Sequence, residues 1–94
     1  MMYVTKIKMK PGCYRSSKLV EIDQLYITGC ENPGYFPKAV VHNYVKENPG
    51  SIKVDRHPYP SVIDAISVNN EKYVRSSPND YIHDNLLDLP REAN

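Results

Sequence analysis

Apolar and polar residues alternate along residues 3 to 9, YVTKIKM. Tyr3, Thr5, Ile7 and Met9 fall on one side, Lys6 and Lys8 on the other beside Val4, which predicts a strand with one solvated face. Residues 10 to 18, KPGCYRSSK, bring Pro, Gly and Ser together and read as a loop. A second strand is expected from Val20 to Thr28. There Val20, Ile22 and Tyr26 alternate against Leu25 and Ile27, so its middle is covered on both faces. The tetrapeptide ENPG occurs at 31 to 34 and again at 47 to 50. The two copies bracket a helix of about three turns that opens at Pro37 and carries Val40, Val41, Tyr44 and Val45 as an apolar stripe. His42 falls on the solvated side of that helix.

Residues 51 to 55, SIKVD, read as a short strand, and the prolines of RHPYPS force an extended, exposed connection. Alternation from Val62 to Val68, a turn at Asn69 and Asn70, and extended character in EKYVRS predict a hairpin over 62 to 76. The resulting order is β-β-α-β-β-β followed by a tail. The tail, HDNLLDLP at 83 to 90, carries Leu86, Leu87 and Leu89 where small domains usually become polar. Asp84 can accept from backbone N–H groups and start a tight turn that presents these leucines to the core, with Asn85 beside it and Pro90 as the stop. Residues Asp84, Asn85, Leu86, Leu87, Leu89 and Pro90 are therefore expected to clasp the open side of the sheet. Truncating Leu87 is expected to cost about 2 kcal/mol or more.

Composition narrows the function classes. Ninety-four residues fill one core, so residues 1–94 are read as a single domain. Eight Tyr with one Phe and no Trp favour half-buried strand faces and thin layers. A net charge of +1 gives no general attraction to nucleic acid or acidic membrane. The charge is nevertheless segregated: Lys6, Lys8, Lys10, Arg15 and Lys18 lead the chain, while Asp80, Asp84, Asp88 and Glu92 face only Arg91 near its end. The opening MMYVTKIKMK lacks the apolar region of a secretory signal, and no apolar run approaches the roughly 20 residues of a membrane span, so a cytoplasmic protein without membrane contact is expected.

At EKYVRSSPNDYIHDNLLDLP, residues 71 to 90, the chain resembles the C-terminal signature of a small bacterial and archaeal family, domain of unknown function 3892. The matching residues are Tyr73, Arg75, Ser76, Asp80, Asp84, Asn85, Leu86, Leu87, Leu89 and Pro90. A looser likeness upstream, LYITG followed by a helix, extends it over most of the chain. The resemblance implies a compact domain and carries no activity with it.

Candidate chemistry is sparse. Three histidines, His42, His57 and His83, lack metal-ligand spacing, and Asp80 with His83 and Asp84 is the nearest approach to an acid–base cluster. Cys13 and Cys30 form no CxxC pair; Lys10 and Arg15 near Cys13 would lower its pKa, yet no base is placed beside it. No glycine-rich phosphate loop exists. Lys6, Lys8, Lys10 and Arg15 with Tyr14 form a candidate nucleic-acid surface, the lysines supplying charge and the tyrosine a stacking ring.

The expected fold is α+β: a small, curled, mainly antiparallel sheet of four to five strands, approaching an incomplete barrel, with one helix across it. The expected function is a non-catalytic binding or adaptor domain acting through protein contacts, without a cofactor. Single-stranded nucleic-acid binding is the alternative, and a hydrolytic or metal-dependent enzyme ranks third.

Overall fold

The first strand does not keep the simple alternation of its sequence. In a computed structural model, which describes residues 1–77 and 84–92, β1 spans Met2–Met9 and pairs antiparallel with β2, Ile22–Thr28. Val4 faces Ile27 and Lys6 faces Tyr26, leaving Thr5 as an extra residue; Lys8 faces Gln24 and Met9 faces Ile22, leaving Asp23 as another. Each bulge shifts the side-chain parity by one. Val4, Ile7 and Met9 consequently share the buried face, as do Ile22, Leu25 and Ile27. This corrects the expectation that Val4 lies with the lysines, and that Ile22 and Tyr26 share a face opposed to Leu25 and Ile27.

A strand absent from the expected order follows. Gly34–Pro37 forms β3, antiparallel to β2, with Tyr26 opposite Tyr35 and Leu25 opposite Phe36. Gly29, at φ +83, lets the start of β1 pass close to the end of β2, because a Cβ there would collide with the carbonyl oxygen of Met1. Pro37 ends β3 and immediately precedes α1, Lys38–Glu47, rather than opening the helix. The buried helical face is Lys38, Val41, His42 and Val45, spaced i, i+3, i+4, i+7 as a single stripe requires. Val40 and Tyr44, expected in that stripe, are 52% and 43% exposed, whereas His42, expected on the solvated side, is 1% exposed. Its Nδ1 lies 2.9 Å from the Tyr73 carbonyl oxygen.

β4, Ile52–Val54, pairs parallel with the start of β1, completing a four-stranded sheet ordered β3-β2-β1-β4. The hairpin β5, Val62–Ile66, with β6, Lys72–Ser76, forms a second sheet and packs against α1. Its turn places Asn70 at φ +62. Among the described residues the architecture is thus α+β with one α-helix and six strands: the larger sheet has four, within the expected four to five, the hairpin forms a sheet of its own, and neither closes into a barrel.

The tail acts twice. Asn85–Asp88 forms a 3₁₀ turn in which Asp84 caps the Leu86 N–H. Leu86 is fully buried and Leu89 is 3% exposed, while Leu87 is only partly buried against the core. Beyond the turn, the chain runs beside β1: the Ile7 N–H donates to the Pro90 carbonyl at 3.0 Å, and the Glu92 N–H donates to the Ile7 carbonyl at 3.0 Å. Residues 90–92 therefore occupy the edge of β1 that β4 leaves uncovered. Arg91 locks this position by donating to the carbonyls of Tyr14, Ser16 and Leu87. Asp80 and His83, raised above as part of an acid–base cluster, lie outside the described residues.

Candidate functional site

The two faces of the four-stranded sheet carry different chemistry. On the inner face, Met2 of β1, Ile27 of β2, Phe36 of β3 and Ile52 of β4 form one wall of a cavity of about 240 Å³. Val40, Val41 and Tyr44 of α1 form the opposite wall, and Cys30 closes one end beyond β2. Met2 and Ile27 lie on the regular stretch of the β1–β2 pair before its first bulge, and α1 follows directly from β3 with Val40 and Tyr44 beside the sheet. The space is partly open to solvent, and its apolar lining with two exposed apolar residues at the rim has the shape and chemistry to receive an apolar group.

On the outer face, the Lys6 ammonium sits 4.5 Å from the centre of the Tyr26 ring, and the Lys8 ammonium 4.5 Å from that of Tyr35. The two rings meet edge to face at 5.0 Å. Lys6 also pairs with Glu92 at 3.8 Å. Burial of the Tyr35 hydroxyl and the nearby Glu92 carboxylate hold that phenol above its ordinary pKa. In return the Tyr35 hydroxyl, ahead of Lys6 and Lys8, lowers the Glu92 carboxyl.

The five residues named as a nucleic-acid surface are therefore divided. Lys6 and Lys8 share the outer sheet face. Lys10 turns away and donates to Glu71 at 2.6 Å; the same carboxylate is bonded by Lys38, whose ammonium also reaches the Val20 carbonyl at 2.5 Å. Tyr14 spends its hydroxyl on the Arg91 carbonyl at 3.0 Å, and Arg15 stands exposed in the loop. Sequence spacing missed the partners that join Lys6 and Lys8, namely Tyr26 and Tyr35. The signal available was the pair of tyrosines flanking the ENPG turn, which becomes informative once β3 is recognised as a strand.

The Glu71 cluster ties β1, α1 and the hairpin together and yields a pH prediction. Hydrogen bonds from Lys10 first, then from Lys38, lower the Glu71 carboxyl from its ordinary 4.5 to about 2. Because the folded value lies below the unfolded one, the cluster contributes its full stability above about pH 4.5 and loses it as the pH falls toward about 2. Urea midpoints of wild type and Glu71→Gln should differ most at pH 7, approach one another steadily below about pH 4.5 and converge near pH 2; a gap that does not narrow over that range would contradict the charge-based account.

Cys13 differs from its sequence expectation. Its thiol donates to Glu21 at 3.3 Å, and that bond is the first cause of a pKa raised above the ordinary value rather than lowered. Less thiolate at neutral pH means slower alkylation. Iodoacetamide labelling followed by mass should be slower at Cys13 than in an unstructured cysteine peptide, and faster in Glu21→Gln. Both Cys13 and Cys30 are free thiols.

Among the described residues, no three His, Cys, Asp or Glu side chains gather in a group that could hold a metal ion, and no helix is long and apolar enough to cross a membrane. No curated protein and no solved structure matches the chain. A family described as protein of unknown function, DUF3892, matches residues 3–90. That match runs from the first strand through the leucines of the closing turn, and the chain belongs to the DUF3892 family.

Proposed function

We propose that the protein is a small non-catalytic binding domain acting through protein contacts, with the cavity between α1 and the sheet end receiving an apolar side chain of its partner. The carrying observation is the approximately 240 Å³ cavity, whose rim includes the exposed Val40 and Tyr44. Binding energy at protein interfaces concentrates where a bulky anchor fills a pocket that excludes water. A cavity walled by a helix and by positions from all four strands of one sheet is a preformed hole of that kind.

The test is affinity capture with wild-type protein and with Val40→Glu, which charges the rim at an exposed position, alongside Val68→Ser at a fully exposed position in the turn of the hairpin, outside the cavity lining, as a control. A partner held by wild type and the control should be lost with Val40→Glu. After purification it should bind the variant at least about tenfold more weakly by calorimetry, equivalent to roughly 1.4 kcal/mol. Equal capture and equal affinity with the charged rim would overturn the reading.

A further inference from the structure

We propose that the outer face of the four-stranded sheet binds single-stranded nucleic acid, with bases stacking on Tyr26 and Tyr35 and phosphates taken by Lys6, Lys8 and Lys53. This face is independent of the cavity, which opens on the inner side of the same sheet.

Three observations carry the proposal. The first is the layout of rings and ammonium groups. Lys6 faces Tyr26 across the β1–β2 pair, and Tyr26 faces Tyr35 across the β2–β3 pair, so one row crosses three strands as cation, ring, ring. Lys8 lies two residues along β1 on the same side, with its ammonium over Tyr35. Lys53 alternates outward between the buried Ile52 and Val54. All five side chains belong to residues that remain partly exposed.

The second observation is charge. Three lysines stand on this face, and the acid in contact with them is Glu92, paired to Lys6 at 3.8 Å with the two side chains 40% and 47% exposed. An exposed pair of this kind is worth about 0 to 1 kcal/mol. A phosphate can replace the Glu92 carboxylate at little cost.

The third is the fit to unpaired bases. Proteins that hold single strands combine cations tracking the backbone with aromatic rings on which bases stack, each stack contributing about 1 to 3 kcal/mol. A duplex hides its base faces, so beyond its phosphates and groove edges it has no ring for the tyrosines to stack on. An acidic peptide answers the lysines but has no planar groups for the tyrosines. Lysines resting on rings hold the ammonium groups beside the stacking positions, and those groups can move to phosphate as a base takes the ring.

The experiment is fluorescence anisotropy of a labelled oligothymidylate of about twelve nucleotides, titrated with the full chain between about 50 and 200 mM salt. Three phosphate contacts predict a slope of log affinity against log salt near −2, from about −0.7 per contact on single strands. Lys6→Ala with Lys8→Ala should leave a slope near −0.7. Tyr26→Leu should weaken binding about tenfold or more with the slope unchanged, because it removes stacking and no charge. Thermal melts establish that each variant folds. Should Tyr26→Leu fail to fold, amide shift mapping on the wild type replaces it, with the largest changes expected at Lys6, Lys8, Tyr26 and Tyr35. Absence of binding at low salt, an unchanged slope in the double lysine variant, or equal affinity for polyglutamate would each overturn the proposal; the last would mark a surface for acidic polypeptide.

Discussion

Leu86→Ala is expected to lower unfolding stability by about 3 kcal/mol, within the range of roughly 2 to 5 kcal/mol for removing a buried leucine side chain. Leu86 is fully buried, and the 3₁₀ turn that carries it contacts both β1 and β6. Its removal opens a cavity where the tail meets both sheets, and neither neighbour can collapse freely because each is fixed by its own ladder. A small domain has only about 5 to 15 kcal/mol in total, so the loss is a large fraction of it. Urea denaturation should show a lower midpoint with an unchanged slope, the mark of altered stability in a two-state domain. Leu87→Ala should cost less, about 1 kcal/mol, because Leu87 is only partly buried. If Leu87→Ala proves as costly as Leu86→Ala, the turn is rotated relative to its described position.

The difference between Leu86 and Leu87 illustrates what pattern alone can convey. Three leucines in a polar tail announce a docking segment, but a single 3₁₀ turn is too short for periodicity to select the face, and the cap at Asp84 sets the rotation. The hairpin was fully legible because alternation, a turn-favouring Asn pair and renewed alternation agree with one another. β1 and β2 were legible as strands and illegible as faces. One bulge residue in each, Thr5 and Asp23, inverts everything on one side of it, and neither carries a glycine that would betray the bulge.

The helix shows the opposite failure. Its true stripe of Lys38, Val41, His42 and Val45 has faultless helical spacing, but two of its four members are polar, and polarity alone places His42 on the solvated side. Tertiary partners decide otherwise. Tyr73 supplies the carbonyl for His42, and Glu71 and Val20 bond Lys38. β3 was missed because a four-residue strand between Gly34 and Pro37 looks like loop until β2 is beside it. The candidate surfaces inherit these errors. A cavity bounded by four strands and a helix arises from where inward faces fail to meet, which no local pattern records. The tyrosine and lysine face needed β3 in place before Tyr35 could be laid next to Tyr26.

Asp84→Ala should be the most damaging polar substitution in the tail, again about 3 kcal/mol. One carboxylate serves three donors: Oδ1 accepts from the Leu86 N–H at 2.9 Å and from the Ser76 hydroxyl at 2.5 Å, and Oδ2 accepts from the Ser76 N–H at 3.0 Å. Losing a cap costs about 0.5 to 2 kcal/mol, and stranding a buried donor about 1 to 3 kcal/mol. Ser76 is 3% exposed, so water cannot readily take over. Asp84→Asn keeps one carbonyl oxygen and should cost roughly half as much, since it can still cap Leu86 or satisfy Ser76 but not all three donors. A double-mutant cycle with Ser76→Ala separates the two roles. If the carboxylate acts chiefly by joining β6 to the turn, Asp84→Ala should cost about 1 kcal/mol less in the Ser76→Ala background than in wild type, because one stranded donor is already gone. A strictly additive cycle would show that the Ser76 hydroxyl contributes nothing through Asp84. The capping bond to Leu86 would then be left, with the Ser76 N–H, to fix the rotation that buries Leu86 in preference to Leu87.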